Sequence, residues 1–312
     1  MIRIKIHPCY LGSSIVWCFC YDVGMDEIRK LLGDFPQKVT PNAEILEEVD
    51  CGSYIRQKVA YDTEANDRVT AYICIPKDLS GPTAAIFCHH QHHGQFDLGK
   101  SEIVGLAGDP DQAYAKELAE RGFVTLSPDA IAFEERDWSG KGSAEYFELA
   151  TRLVQGKTLM AKALHDVSAG LDYLQSRTEV DKNKIGFIGH SYGGRMALWV
   201  PAFDDRVRAS VSNCGCVDYR NSLTHDTGIQ MEFCIPGLMQ SYDIEDVVAE
   251  FKNCPLLIIA GEDDKWSRGY EGLYETIQAK GNNTTELAVY SGGHQFTTEM
   301  RERAYAFLQS KL

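Results

Sequence analysis

The sequence predicts an α/β fold, with a mostly parallel central sheet, helices on both faces and an N-terminal antiparallel hairpin. Three observations carry that expectation. From Pro82 to the C-terminus, short apolar runs alternate with segments of helical 3/4 spacing, the grammar of repeated strand–turn–helix units. Runs such as 84–88, 185–188 and 256–260 are apolar throughout, as strands buried on both faces must be. Before Pro82, two alternating segments, 54–61 and 68–75, flank a polar turn at Asn66-Asp67 and read as a hairpin extending one edge of the sheet.

Taken in order, residues 25–32 form an amphipathic helix that opens at a second methionine, a candidate natural start. The hairpin follows, then strand 84–88. A helix at 112–121 ends at Gly122, and strand 123–126 stops at Ser127-Pro128. Met160, Leu164, Val167, Leu171 and Leu174 mark one face of a long helix, 158–177. Strand 185–188, helix 192–200, strand 207–211, strand 256–260, helix 268–279, strand 286–290 and helix 298–311 complete the chain. Segments 131–157 and 213–253 interrupt the alternation. Inserts of this length in an open α/β sheet gather over the strand C-termini, where ligands bind. The expected organisation is an N-terminal extension, 1–24, and one domain, 25–312.

Composition excludes several function classes. A net charge of −14 repels nucleic acid and anionic membrane surfaces. The apolar stretch at 15–21 is too short to span a bilayer, is preceded by Gly12-Ser13-Ser14, and lacks a small-residue cleavage site, so a cytoplasmic location is expected. Ten cysteines include Cys74 and Cys88 inside apolar runs, where buried free thiols of a reducing compartment sit. Cys18-Phe-Cys20 and Cys214-Gly-Cys216 lack the second half of a zinc site.

The chemistry is carried by Gly189-His190-Ser191-Tyr192-Gly193, a G-x-S-x-G pattern. Alone it is weak, but here it lies between a strand and a helix, where a nucleophile elbow must be, and it makes the α/β-hydrolase fold the specific expectation. Side chains at the two glycines would strike neighbouring backbone, while the helix N-terminus behind Ser191 stabilises developing negative charge. A serine hydroxyl needs a base to take its proton. Of the histidines after the elbow, His294 lies in a loop between the last strand and the last helix, and His225 lies in the second insert. The base needs a carboxylate, and strand 256–260 runs into Gly261-Glu262-Asp263-Asp264, so Asp264 and Asp263 compete for that role.

His89-His90-Gln91-His92-His93 follows strand 84–88. Consecutive loop histidines do not converge on one tetrahedral point, so no metal site is expected. The loop is instead the expected source of the second oxyanion N–H, from Gln91 with His92 next, the first coming from Tyr192. Arg136, Phe133 and Trp138 are the expected substrate-binding residues, with further aromatic and apolar residues of the two inserts (Tyr146, Phe147, Phe233, Ile235, Leu238, Met239) as pocket candidates.

On these motifs, together with Gly99-Lys100-Ser101-Glu102, Leu126-Ser127-Pro128-Asp129 and Phe133-Glu134-Glu135-Arg136, the chain from about Pro82 onward resembles the dienelactone-hydrolase-like and acetyl-xylan-esterase-like α/β-hydrolases. In that resemblance G-E-x-D places the acid on Asp264, and the residue matching Gln91 lends the oxyanion N–H. True dienelactone hydrolases carry a cysteine nucleophile, so the serine at 191 separates this chain from lactone specificity. Lys252-Asn253-Cys254-Pro255 also departs from the Ala-Pro-Arg-Pro that often opens the strand before the acid.

The expected function is therefore a serine esterase acting on a small-molecule ester through an acyl-enzyme intermediate. It needs no cofactor, and no nucleic-acid or membrane partner is expected. A homo-oligomer is compatible with this reading. The alternatives are a serine peptidase of the prolyl-oligopeptidase type, which would carry a propeller ahead of this region, and a catalytically silent binding module, which would lack a member of the Ser–His–Asp set.

Overall fold

A computed structural model describes residues 3–11, 14–22, 24–140, 142–224 and 227–312, with side chains from residue 24 onward. Strands β1 (Arg3–Leu11) and β2 (Ser14–Asp22) pair antiparallel with each other. Helix α1 (Met25–Leu32) forms as expected, with acidic residues in its first turn, basic residues in its last and Ile28 and Leu32 buried.

The main sheet has nine strands. In chain order they are β3 (Glu44–Asp50), β4 (Tyr54–Glu64), β5 (Asp67–Pro76), β6 (Thr83–His89), β7 (Val124–Pro128), β8 (Val180–His190), β9 (Val207–Asn213), β10 (Leu256–Gly261) and β11 (Thr285–Tyr290). Their spatial order is β11-β10-β9-β8-β6-β7-β5-β4-β3. β6 to β11 are parallel, and β3, β4 and β5 form the antiparallel edge that joins β7 through β5. This is the α/β-hydrolase architecture. Side chains alternate across β6: Ala85 and Phe87 enter one core and Ile86 and Cys88 the other. Each core is closed by its own helices, α5 (Leu159–Ser176) on the first face and α3 (Tyr114–Glu120) with α11 (Thr298–Lys311) on the second.

The remaining helices are α2 (Lys100–Ile103), α4 (Ser143–Val154), α6 (Tyr192–Met196), α7 (Val200–Phe203), α8 (Tyr219–Thr224), α9 (Ile244–Val248) and α10 (Tyr270–Ala279). The elements depart from the sequence expectation at three places. The single helix at 192–200 is two, because Pro201 starts a new turn at α7, where its missing N–H costs nothing. The helix expected from 112 begins as a 3-10 turn, Pro110–Gln112, before α3. Strand β3 was not expected: it is an acidic, exposed edge strand without the apolar alternation that marks a buried one. The first insert folds α4, and the second carries α8 and α9.

The seven cysteines at 51, 74, 88, 214, 216, 234 and 254 are free thiols. Cys9, Cys18 and Cys20 lie outside the residues whose side chains are described. No helix among the described residues is long and apolar enough to cross a membrane.

Candidate active site

Ser191 stands between β8 and α6 with φ 56° and ψ −109°, a backbone conformation that costs on the order of 1–3 kcal/mol and persists only where the surroundings enforce it. Here they do. The Ser191 N–H donates to the Asn213 carbonyl at the end of β9 (2.9 Å), and the Gly193 N–H donates to the His90 carbonyl (3.1 Å). A Cβ on Gly189 would lie 2.3 Å from the carbonyl carbon of Gly193, and one on Gly193 would lie 2.0 Å from the His89 carbonyl oxygen. Only glycine at both positions lets the elbow close against β6.

His294 follows β11, and its Nδ1 lies 3.0 Å from both carboxylate oxygens of Asp264, which follows β10. Asp264 also accepts the Ser267 hydroxyl (2.6 Å) and the Trp266 N–H (2.9 Å). Burial opposes its ionisation, but the hydrogen bonds from His294, Ser267 and Trp266 outweigh that and hold the carboxyl below its ordinary value. An ionised acceptor fixes the proton of His294 on Nδ1 and leaves the Nε2 lone pair free. Asp263 is exposed. Ser191 and His294 line one cavity of about 460 Å³, with Glu145, Cys214, Met231 and Trp266 among the other walls. His225 lies outside the described residues.

The histidines of loop 89–94 point to separate partners. His89 Nδ1 donates to the His90 carbonyl (3.0 Å), and His90 Nδ1 donates to the Gln91 carbonyl (2.7 Å). His90 Nε2 accepts the Ala130 N–H (3.0 Å). Burial pushes these two rings down to about 3 and about 4, so both are neutral. His92 Nδ1 accepts the Gly94 N–H (3.0 Å), which leaves its Nε2–H to donate to Glu145 (2.8 Å). A metal-binding imidazole donates its second nitrogen's proton outward. His92 does the reverse, and so has no lone pair to offer. The carboxylates of Asp129, Glu134 and Glu135 surround the Lys100 ammonium.

Gln91 is buried, its side chain donating to Glu102 (3.0 Å), and the preceding carbonyl, His90, accepts the Gly193 N–H of the elbow. Tyr192 is the first residue of α6, where backbone N–H groups have no intrahelical acceptor.

Three expected substrate residues lie elsewhere. Arg136 does not line the cavity. Its buried guanidinium pairs with Asp67 (3.0 Å) and Asp166 (2.9 Å), because β5 and α5 deliver carboxylates to it inside the protein. Phe133 is fully buried under the histidine loop, against His90, His92 and Phe96, where it supports the loop from behind. Trp138 is 66% exposed, packs edge-on against Phe147 and faces a different surface hollow beside Arg136. Of the other pocket candidates, Phe233, Ile235 and Leu238 are core, and Tyr146 and Phe147 are exposed.

Sequence reading missed Arg195. It lies one helical turn beyond Ser191 in α6, lines the cavity and is 8% exposed. Its guanidinium rests over the Phe233 ring at 5.7 Å; Glu232 and Asp264 act on its charge from a distance, but no hydrogen bond or ion pair to it is found among the described residues. Lys100, Lys162 and Arg136, by contrast, are buried and paired. The sequence signal was present: an arginine at the fourth position after an elbow serine, in an otherwise apolar helix.

The family model of the dienelactone hydrolase family matches residues 100–308. The "Putative hydrolase YtaP" of Bacillus subtilis (strain 168) is 29% identical over 296 residues, covering 92% of this chain and 98% of that protein. Among solved structures, a glucuronoyl esterase from Solibacter usitatus superposes with a TM-score of 0.69 at 15% identity, over 91% of each chain. An acetyl xylan esterase from Paenibacillus sp. R4 gives a TM-score of 0.63 at 18% identity, over 92% of this chain and 93% of that one. At these identities the two structures share the fold with this chain.

Proposed function

The chain belongs to the dienelactone hydrolase family of ester hydrolases, and from that premise we propose that it cleaves a carboxylic ester through an acyl-enzyme intermediate on Ser191. The observation that carries this reading is the pairing of Asp264 with His294 Nδ1, His294 lining the same cavity as the strained Ser191. His294 Nε2 takes the hydroxyl proton as Ser191 Oγ attacks the ester carbonyl carbon. The carbonyl electrons move onto oxygen, and the N–H groups of Tyr192 and Gln91 receive that oxyanion. When the tetrahedral centre collapses, His294 returns the proton to the departing alcohol. Water then repeats the sequence, releasing the acid and freeing Ser191.

Nucleophile, base, orienting acid and oxyanion donors all come from the chain, so this cycle calls for no cofactor or metal. Residues 25–312 would act as one domain, with the two inserts supplying the walls: Glu145 from the first, and Cys214 and Met231 from the second. Arg195 faces the substrate as a buried donor and suits a part of it that presents oxygen acceptors. A panel of p-nitrophenyl esters beside peptide p-nitroanilides tests the reading. Ester turnover that disappears in Ser191→Ala supports it, and amide cleavage without ester cleavage would point to a peptidase.

A further inference from the structure

Glu232 poses a problem that the proposed ester chemistry does not use. It lies in the turn Met231–Phe233, is fully buried, and neither carboxyl oxygen meets a nitrogen or hydroxyl donor. Its polar neighbour is another carboxyl, Glu145 of α4, itself 4% exposed, with an oxygen of each lying within 4.8 Å of the other and of a His92 ring nitrogen. Two carboxylates cannot share such a place, because the charge of each makes the other's costlier in a medium without water. One proton between them resolves this, with Glu232 as donor and Glu145 as the ionised acceptor. Glu145 in turn accepts Nε2–H of His92 at 2.8 Å, and His92 Nδ1 accepts the Gly94 N–H at 3.0 Å.

We propose that Glu232, Glu145 and His92 form a hydrogen-bonded positioning chain, closed by one proton shared between the two carboxyls, that holds loop 89–94 in place beside Ser191. The chain runs from the second insert through the helix of the first to the loop assigned the second oxyanion donor, so it ties both cavity walls to the elbow. A metal at the same three residues is the competing occupant. His92 argues against it, since the nitrogen facing the carboxylates carries the proton.

The charged groups around Glu232 are few. Glu145 comes from α4 and Arg195 and Tyr192 from α6. Cys234 is its near neighbour in sequence, and on α5, which packs against the same turn, Lys162 and Asp166 are bound to each other (2.7 Å). Burial first, then the charge of Glu145, push the Glu232 carboxyl well above its ordinary value. Its folded value thus exceeds its unfolded one. The stability it contributes is complete below the ordinary glutamate range and is lost as pH rises through the raised value.

For its effect on turnover, this inference rests on the ester-hydrolase reading. The test compares Glu232→Gln with Glu232→Leu and Glu145→Ala. An amide N–H replaces the carboxyl donor, so Glu232→Gln should keep near-normal kcat and lose any alkaline limb that Glu232 imposes. Glu232→Leu and Glu145→Ala should each lose roughly 10²-fold in kcat with a smaller change in KM, as for a catalytic group misplaced by about an ångström. Equal impairment of Glu232→Gln and Glu232→Leu, or no impairment of either, would overturn the chain. So would loss of activity on treatment with EDTA and its recovery with added zinc. A readout independent of turnover is the ¹⁵N spectrum of labelled histidine in Ser191→Ala, with His92 assigned by its own substitution. The Nε2–H tautomer is expected there, and the Nδ1–H tautomer would contradict the chain even if the enzyme cleaves no ester.

Discussion

Asp264 meets His294 with both carboxylate oxygens at 3.0 Å from a single ring nitrogen, while two further donors, Ser267 and the Trp266 N–H, hold the carboxylate from behind. The arrangement leaves the ring one tautomer. It also separates two adjacent acids that the sequence alone leaves in competition, since Asp263 faces solvent.

Asp264→Asn should therefore lower kcat by roughly 10⁴, because an amide permits the wrong tautomer. Asp263→Asn should stay active, with stability changed by no more than about 0.5 kcal/mol. Steady-state kinetics on one chromogenic ester decides between them. The reverse pattern would move the acid by one residue, and two mild variants would place it elsewhere, with Asp218 after β9 the first position to examine.

The elbow's closeness to β6 gives a stability prediction. Gly193→Ala puts a methyl 2.0 Å from the His89 carbonyl oxygen, a backbone atom that cannot swing aside. Overpacking of this kind costs about 1–3 kcal/mol. Thermal denaturation should show a lower Tm, and any folded fraction should turn over slowly because elbow and histidine loop are pushed apart. An unchanged Tm would mean that the two segments are not in contact.

Lys100 is the hub of the carboxylates Asp129, Glu134 and Glu135, and its side chain is 1% exposed. Lys100→Met removes the cation and leaves buried negative charge uncompensated, a change worth about 3–5 kcal/mol of stability. Urea unfolding measures it. A loss below about 1 kcal/mol, the range of exposed ion pairs, would show that water reaches the cluster.

Much of this architecture was legible in the sequence. Apolar runs located the parallel strands β6, β8 and β10, because burial on both faces leaves no polar position to confuse the pattern. The elbow was legible because steric demands fix glycine at 189 and 193. Edge strand β3 was not, since pairing on one side with exposed side chains imposes no apolar period. The substrate residues were the weakest reading. Composition shows that Arg136 and Phe133 lie in an insert, but whether a side chain faces the cavity or the core depends on the partners that β5, α5 and loop 89–94 bring to it. Arg195 was missed for the converse reason: the carboxylates that pair directly with other buried cations come from distant segments, and the lack of a direct ion pair to one arginine among the described residues is a tertiary property.

Arg195 supplies a prediction about substrate handling. Its buried guanidinium lines the cavity without a protein acceptor, so its donors are available to ligand oxygens. Arg195→Met should raise KM about tenfold or more for esters rich in oxygen acceptors, in line with about 1.5–3 kcal/mol for a hydrogen bond to a charged group. Simple p-nitrophenyl acetate should be much less affected. A uniform change across both ester types would make Arg195 a structural support of α6 instead.

A fluorophosphonate probe followed by peptide mass spectrometry reads out whether Ser191 is the residue that carries the acyl group. The wild-type protein should gain one phosphonyl adduct, on the peptide containing Ser191. A folded Ser191→Ala protein should gain none and should lose ester turnover by several orders of magnitude. Near-normal turnover in folded Ser191→Ala, or an adduct on another residue of a protein that still cleaves esters, would place the nucleophile elsewhere.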